Sequence, residues 1–267
     1  MLIKEKEIAA DDIQQLTDLL SQNLTLQQKF LVERERHLLQ AHLKAELSPI
    51  HFLNFYYKDS RDWALIHDLR IEENGFSAHF DHILINRRLD IYVIGSQNFY
   101  NGLSITPEGD FLAYDGSRYQ AIQSPIDECQ KHSQTLSEIL IELHLTPKRM
   151  GTFLKPRIKP YIMLSPLSNV SRPPESIFDS SMVVTADYLA KSLLKQTRKM
   201  GRFMKNLCRF PKKFKNDPFV KVACELASLH KAVRVDYVKK FGLNHQSLLP
   251  PMESVRIDDK IVGDYCI

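Results

Sequence analysis

The spacing of apolar residues predicts helices in the first 47 positions of the chain and strands after them. Leucines recur at helical spacing, for example at four-residue steps at Leu39, Leu43 and Leu47, which is the period of one face of a helix. Pro49 is expected to end this helix, because proline has no backbone N–H to donate within it. Beyond it, apolar and polar residues alternate as they do in half-buried strands. Short strands are predicted from His51 to about Tyr119, for example His51–Tyr57, Trp63–Ile71, Ser77–Ile85 and Leu89–Ile94.

The second half of the chain predicts mainly helices. A proline in the first turn favours a helix over Pro125–Leu145. Apolar runs predict two more strands, Pro160–Leu164 and Met182–Thr185, and a long helix is expected directly after the second of them. Two shorter helices are expected around Phe219–Leu229 and Ala232–Phe241. Helices and strands in this order are typical of an α/β or α+β sheet domain.

Composition excludes several functional classes. Of the 267 residues, 43% are hydrophobic and 25% are charged, which is usual for globular proteins. The chain has no GxGxxG and no GK[ST] motif, so glycine-built cradles for dinucleotides and triphosphates are excluded. Its four cysteines form no CxxC pair, which argues against a zinc ribbon and favours reduced thiols in a cytoplasmic protein. The chain contains no run of 18 apolar residues, so no membrane span is predicted.

Basic residues are concentrated in one segment. The net charge is +4, yet the segment from Lys191 to Lys215 carries ten basic residues and no acidic one, which leaves −6 for the rest of the chain. We therefore predict a domain over residues 1–190 and a basic helical extension over residues 191–267. Basic residues interleaved with aromatic ones suit phosphate contacts and base stacking. The alternatives are a solvated helix face and, less favoured, contact with an anionic membrane surface. The residues predicted to bind nucleic acid are Lys195, Arg198, Lys199, Arg202, Lys205, Arg209, Lys212 and Lys213.

Two carboxylates are predicted to lie on the apolar side of their helix or strand, which is unusual for a charged residue. Glu35 lies four residues after Leu31 and three before Leu38, so on a helix it points towards the apolar side. A carboxylate in that environment needs a metal, a cation or hydrogen-bond donors as a partner. Asp81 lies on the same strand face as Ile83 and Ile85, the expected core face.

Several pieces in a fixed order resemble one known family. The pieces Ile66–Ile71, Phe80–Ile85, Ile91–Ile94 and Phe99–Gly102 are similar to the nuclease-related domain (NERD), a branch of the PD-(D/E)xK restriction-endonuclease-like superfamily. The resemblance covers about residues 33–190. It implies an α/β fold, with a restriction-endonuclease-like mixed central sheet flanked by helices, here followed by a C-terminal helical extension. It also implies phosphodiester hydrolysis that depends on a divalent metal ion.

The resemblance implies an active site that has degenerated in this chain. Glu35 and Asp81 match the acidic metal ligands of the family. Where family members have Glu-x-Lys, this chain has Gly95-Ser96-Gln97, so a metal ligand and a positive charge are both replaced. Glu128, four residues before His132, stands where the family usually has glutamine. The candidate catalytic positions are therefore Glu35, Asp81, Gln97 and Glu128, with Gly95 at the expected glutamate position.

These observations predict a nuclease-related protein without catalytic activity that binds nucleic acid, DNA rather than RNA, or a complex that processes it. Such a protein requires no cofactor. The first alternative is a divergent DNA endonuclease in which Glu35 and Asp81 hold Mg²⁺ or Mn²⁺. The second is a scaffold, a homodimer or a protein partner in DNA processing, whose basic face docks an acidic protein.

Overall fold

The structure is a computed structural model of the 267-residue chain. It describes residues 1–6, 10–99, 101–149, 151–204, 217–232 and 235–243. Within these ranges, no helix is both long enough and apolar enough to cross a membrane.

The described residues form helices and strands in an interleaved order. The first half contains β1 (Leu2–Lys4), α1 (Ala10–Leu20), α2 (Leu26–Tyr57), β2 (Trp63–Glu73), β3 (Phe76–Asn86), β4 (Asp90–Gln97), β5 (Leu103–Ile105), β6 (Phe111–Tyr114) and β7 (Tyr119–Ile122). The second half contains α3 (Pro125–Glu142), β8 (Lys148–Arg149), β9 (Thr152–Phe153), β10 (Arg157–Leu164), β11 (Val170–Ser171), β12 (Val183–Thr185), α4 (Ala186–Met204), α5 (Pro218–Ser228) and α6 (Tyr237–Lys240).

A six-stranded mixed sheet is the centre of the fold. Its strand order is β1-β2-β3-β4-β10-β12. The hairpin strands β2, β3 and β4 pair antiparallel, whereas β1 with β2, β4 with β10 and β10 with β12 pair parallel. A smaller four-stranded sheet has the order β11-β5-β6-β7. Mixed sheets flanked by helices confirm the predicted α/β class.

The two faces of the central sheet are covered by different helices. On one face, strand residues such as Ile83 and Ile162 pack with α3 residues such as Leu136 in one buried cluster, which also includes residues of α5. On the other face, Trp63 and Met163 belong to a second buried cluster, which includes residues of α4 and of the end of α2. We call these the α3 face and the α4 face. Since side chains alternate along a strand, neighbouring residues of β10 reach opposite faces.

The structure corrects the sequence-based prediction in the region of Pro49. The predicted strand His51–Tyr57 is the last part of helix α2, and Pro49 lies inside that helix. Leu53 and Tyr57, four residues apart, are both fully buried in the cluster of the α4 face. Burial of these side chains offsets the roughly 3 kcal/mol that an interior proline costs a helix. Alternating polar and aromatic residues suggested a strand, but the same residues also fit a helical period.

A second correction concerns the N-terminus, where a helix was predicted throughout. Leu2–Lys4 forms the edge strand β1, whose residues pair with β2. The N-terminal ammonium of Met1 donates hydrogen bonds to the carbonyl oxygens of Tyr57 and Ser60, at 2.9 Å and 2.6 Å. Burial lowers the pKa of this ammonium to about 6. A strand of three residues carries too little periodicity to be predicted from local sequence.

The remaining predicted elements are present with shifted ends. Helix Pro125–Glu142 ends three residues before the predicted boundary, and strand β10 begins three residues earlier than predicted. The strand before α4 and the helices α5 and α6 also match predicted elements. Strands β5 and β6 of the second sheet lie in the region up to about Tyr119 that was predicted to form short strands, β7 begins at the end of that region, and β11 lies outside it.

The chain divides into two compact units. The first comprises residues 1–7 and 43–233, and the second residues 8–42 and 234–267. The central sheet belongs to the first unit. In the second unit, Leu16, Leu19 and Val32 pack with Tyr237 and Leu243. The boundary predicted at residue 190 lies within the continuous helix α4, and the division into residues 1–190 and 191–267 stays a prediction about sequence organisation.

Candidate active-site cleft

A cleft on the α3 face brings together four sequence-predicted positions. The cleft has a volume of about 90 Å³. It is lined by Asp81 on β3, Gly95 and Gln97 on β4, and Glu128 on α3. The register explains the grouping: His82 pairs with Ile94, so the next position along each strand places Asp81 across from Gly95. Gly95 and Gln97 lie two residues apart and therefore reach the same face of the sheet.

Asp81 marks the point where pairing between β3 and β4 ends. Its Oδ2 accepts a hydrogen bond of 2.7 Å from the backbone N–H of Ser96, which replaces a bond of the ladder. The Asp81 side chain is 36% exposed, and its Oδ1 lies 3.9 Å from Nδ1 of His79. One carboxylate oxygen is thus used to hold the end of β4, which limits what remains for a ligand.

His79 connects Asp81 to a second aspartate. Nε2 of His79 lies 2.6 Å from Oδ1 of Asp68 on the neighbouring strand β2. Burial alone would raise the pKa of Asp68, but its hydrogen bond and charge interaction with His79 lower it to about 2. Asp68 also has a φ of +52°, a conformation that few residues other than glycine adopt. The pair therefore stabilises an irregular strand segment beside the cleft.

Helix α3 forms the other wall of the cleft with its first turns. Ser124 caps the helix by accepting a hydrogen bond of 3.2 Å from the backbone N–H of Asp127. Glu128 and His132 both line the cleft, and the His132 ring packs edge-on against Phe80 at 5.9 Å. A helix N-terminus attracts anions. Here two carboxylates, Asp127 and Glu128, already occupy the first turn.

Cys129 also lines the cleft but is not a nucleophile. Its side chain is buried, and Sγ lies 3.4 Å from the backbone oxygen of Tyr161 and 3.6 Å from that of Val93. Burial raises the pKa of the thiol to about 11. Since the thiolate is the reactive form, this cysteine is a packing residue.

Glycine at position 95 is not required by the backbone or by crowding. The φ of Gly95 is not positive, so its backbone conformation is open to other residues. A Cβ built on Gly95 would meet no atom within 4 Å. The space for a longer side chain therefore exists where the NERD resemblance places glutamate, and the chain leaves it empty.

The cleft contains acids and histidines but no lysine or arginine among its described lining residues. Within the described part of the chain, no three His, Cys, Asp or Glu side chains are grouped so that they could hold a metal ion. Asp81 and Glu128 are the two carboxylates of the lining. Mg²⁺ and Mn²⁺ prefer several oxygen ligands. The residues as they stand do not fit either ion.

Glu35 lies in the second compact unit, whereas the cleft belongs to the first. Its Oε1 accepts a hydrogen bond of 2.7 Å from Nζ of Lys240 on α6. The side chain is 25% exposed, so the carboxylate has the kind of cationic partner that its position on the helix requires.

The predicted nucleic-acid-binding residues are only partly described. Lys195 is exposed on α4. Arg198, Lys199 and Arg202 belong to the same helix, but their side chains lie outside what the structure describes. The other predicted positions fall outside the described residues altogether: Lys205, Arg209, Lys212 and Lys213.

Sequence reasoning missed a chain of hydrogen-bonded polar residues behind the cleft, in which the two histidines are buried. Nε2 of His67 lies 3.1 Å from Oδ1 of Asn54, and Nδ1 of His67 lies 2.7 Å from Nδ1 of His82. Nε2 of His82 lies 2.8 Å from Oγ of Ser96. Ser96 is the residue whose backbone N–H holds Asp81. Histidines within two apolar strand runs were the available signal, but their cross-strand pairing required the register.

Comparison with known proteins supports the assignment reached from the residues. The model of the family "Nuclease-related domain" (NERD) matches residues 34–165. This range includes the cleft and the hairpin strands β2 to β4, and it confirms the suspected family for this part of the chain. No curated protein and no solved structure is significantly similar to the chain.

Proposed function

Because residues 34–165 match the nuclease-related domain, we propose that this chain is a nuclease-related protein without catalytic activity that binds nucleic acid, DNA more than RNA. The proposal that the chain is catalytically inactive rests on the residues that line the cleft. Gly95 provides no ligand opposite Asp81, and Gln97 provides no positive charge. A lost catalytic group costs on the order of 10²–10⁴ in rate, so losing two leaves little activity.

The basic segment supports the proposal of binding. Ten basic residues and no acid occur between Lys191 and Lys215. Phosphate contacts of this kind supply most of the affinity of non-specific nucleic-acid binding and depend steeply on salt. The cleft itself is lined by carboxylates, which repel phosphate. The binding surface is therefore proposed to lie on the basic segment and its helix.

A restoration experiment tests the proposed inactivity. Plasmid DNA is incubated with Mg²⁺ or Mn²⁺ and with wild-type protein or the double variant Gly95→Glu/Gln97→Lys. The wild type is expected to leave the plasmid intact. The double variant is expected to nick it at least about a hundredfold faster than the background, because it restores a carboxylate and a cation beside Asp81.

Matched controls identify the source of any activity. The variant Gly95→Gln/Gln97→Lys has the same side-chain size without the new carboxylate and is expected to stay inactive. Asp81→Asn in the restored background is expected to remove the gain. If the wild type cuts DNA and Asp81→Ala abolishes the cutting, inactivity is refuted. That result favours the alternative of a divergent endonuclease that uses Asp81.

A binding experiment tests the second half of the proposal. The affinity of the full chain for a DNA duplex is measured at increasing salt by fluorescence anisotropy. Contacts with six to ten phosphates give a log–log slope of roughly −5 to −9. No binding at low salt, either to this duplex or to a single strand of the same length, would remove the proposed function. A partner protein that copurifies after nuclease treatment, without DNA binding, would favour the scaffold alternative.

A further inference from the structure

A groove on the α4 face of the central sheet has the opposite character to the cleft. It has a volume of about 350 Å³ and lies between β10, β12 and the start of α4. Its lining includes Lys159, Tyr161, Met182, Tyr188 and Ser192. No carboxylate is among the described lining residues. The volume falls within the range of sites that take small organic groups.

Two tyrosines, Tyr161 and Tyr188, are among the residues that line this groove. Tyr188 is 62% exposed, which is high for a large aromatic side chain. Tyr161 is half-buried, and burial raises the pKa of its hydroxyl. Its ring centroid lies 6.1 Å from that of Tyr92, with the planes inclined by 31°. Tyr92 is buried and packs against Trp63 at 5.5 Å. The groove thus presents the exposed ring of Tyr188 and the half-buried ring of Tyr161, which packs in turn against buried aromatic residues.

Lysines flank the tyrosines. Lys159 is exposed, and its Nζ lies 5.6 Å from the centre of the Tyr92 ring. Lys195 is exposed on α4, seven residues after Tyr188, and residues with that spacing lie on one helix face. Lys191 lies between them in sequence, and Asp187 already provides it with an ion-pair partner at 3.6 Å. Lys159 and Lys195 are therefore the cations that a polyanion beside the groove would meet.

We propose that this groove is a base-stacking subsite for single-stranded nucleic acid, with one unpaired base against Tyr188 and Tyr161 and its phosphates directed to Lys159 and Lys195. The inference rests on the proposed nucleic-acid binding and specifies its substrate class. A base within a duplex is stacked and paired, so only an unpaired base can enter such a groove. Aromatic rings combined with a positive track are the two components that single-strand sites share.

The test separates stacking from charge. The full chain is titrated against three fluorescent oligonucleotides of about 20 nucleotides: a single strand, its duplex and an abasic strand with the same phosphates. The wild type is expected to bind the single strand at least about fivefold more tightly than the abasic strand, which corresponds to the lower end of stacking on one base. Tyr188→Ala is expected to weaken binding of the single strand about tenfold and of the abasic strand less than about twofold.

Matched variants exclude indirect effects. Tyr188→Phe keeps the ring and is expected to bind within about twofold of the wild type. Tyr119→Ala removes an equally exposed tyrosine on β7, 54% exposed, and is expected to have no effect. The double variant Lys159→Ala/Lys195→Ala is expected to reduce the salt slope by about 1.4, that is about 0.7 per lost phosphate contact of a single strand.

The outcomes distinguish this inference from the proposed function. Equal affinity for the single strand and the abasic strand, unchanged by Tyr188→Ala, overturns the stacking subsite while nucleic-acid binding stands. Absence of binding to all three oligonucleotides at low salt overturns the proposed function and the subsite with it. Because Tyr188 is exposed, its substitution is not expected to impair folding, and an unchanged urea midpoint verifies this.

Discussion

The two faces of the central sheet carry opposite chemistry on the same strands. On the α3 face, the cleft contains Asp81 and Glu128 and, among its described lining residues, no lysine or arginine. On the α4 face, the groove contains Tyr161, Tyr188 and Lys159 and, among its described lining residues, no carboxylate. Strand β10 contributes to both surfaces, because Ile162 lines the cleft and Tyr161 lines the groove.

This difference indicates which face suits a polyanion. A nuclease cleft tolerates carboxylates because a metal ion compensates their charge. The cleft of this chain contains carboxylates among its described lining residues without a donor set that fits the ion, so we expect it to repel phosphate. The α4 face has the cations and the aromatic rings instead. The family's catalytic position and the proposed binding surface are therefore on opposite sides of one sheet.

A hydrogen-bonded chain connects the two faces behind Asp81. It runs from Asn54 on α2 through His67 and His82 to the Ser96 hydroxyl, and the backbone N–H of Ser96 then reaches Asp81. Both histidines are buried. Each ring nitrogen has one partner in this chain, which is the condition for keeping buried polar groups at low cost.

The largest predicted effect is a loss of folding stability, which is expected when the buried ring of Trp63 on the α4 face is removed. Trp63 is 1% exposed, and its ring lies 5.2 Å from Tyr57 and 5.5 Å from Tyr92. Trp63→Ala is expected to lower the free energy of unfolding by about 3–5 kcal/mol through loss of burial and formation of a cavity. Urea unfolding measures the loss. Phe55→Ala, at a 73% exposed ring of α2, is the control and should change stability by less than about 0.5 kcal/mol.

The second prediction concerns pH and the buried histidine pair. Burial, together with Lys6 and Lys4, lowers the pKa of His67 to about 4, and burial also lowers the pKa of His82. At these two histidines the unfolded chain binds more protons than the folded chain below a pH of about 6.5, so the stability that they contribute is complete above that pH and falls towards pH 4. The shift of His67 alone corresponds to about 3 kcal/mol.

Urea midpoints at several pH values test this dependence. The wild type is expected to lose stability progressively from about pH 6.5 downwards, and His67→Gln should flatten this slope. His51→Gln, which changes an exposed histidine, should leave the slope unchanged. A stability that is constant between about pH 7 and about pH 5 would contradict a neutral buried pair.

The third prediction compares two glycines with different surroundings. Gly109 has a φ of +92°, and a Cβ there would lie 2.5 Å from Cε2 of Phe178. Gly109→Ala is therefore expected to cost about 1–3 kcal/mol. Gly95→Ala adds a Cβ to open space in a strand and should change stability by less than about 0.5 kcal/mol. Thermal or urea unfolding compares them, and a large loss at Gly95 would mean that the cleft cannot accept a side chain.

The smallest predicted effects are changes in affinity for DNA, which are expected when one charge on each face of the sheet is reversed. Lys195→Glu on the α4 side is expected to weaken binding of single-stranded DNA roughly tenfold at low salt, with a shallower salt slope. Glu128→Lys in the cleft is expected to change affinity less than about threefold. Anisotropy titrations measure both. A large gain of affinity from Glu128→Lys, with no loss from Lys195→Glu, would place the nucleic acid in the cleft and reverse the comparison of the two faces.

Much of the local structure was predictable because it depends on short-range periodicity. The alternating residues predicted strands over Trp63–Ile71 and Ser77–Ile85, which are β2 and β3 in the structure, and the proline at the start of α3 predicted that helix. The helical path through Pro49 was not predictable, since it depends on burial of Leu53 and Tyr57 against residues distant in sequence. A local pattern carries no information on such contacts.

The sequence alone determined what the candidate site lacks. Residues 95 and 97 are glycine and glutamine in any fold, so the loss of a carboxylate and of a positive charge follows from their chemistry. It also determined that positive charge is concentrated between residues 191 and 215. Only the tertiary structure decided where the remaining groups meet. Parallel pairing of β4 with β10 and packing of α3 bring Glu128 beside Asp81 and place Tyr161 on the opposite face with Tyr188. Such neighbours are joined by non-local hydrogen bonds and burial, which no spacing within a single segment records.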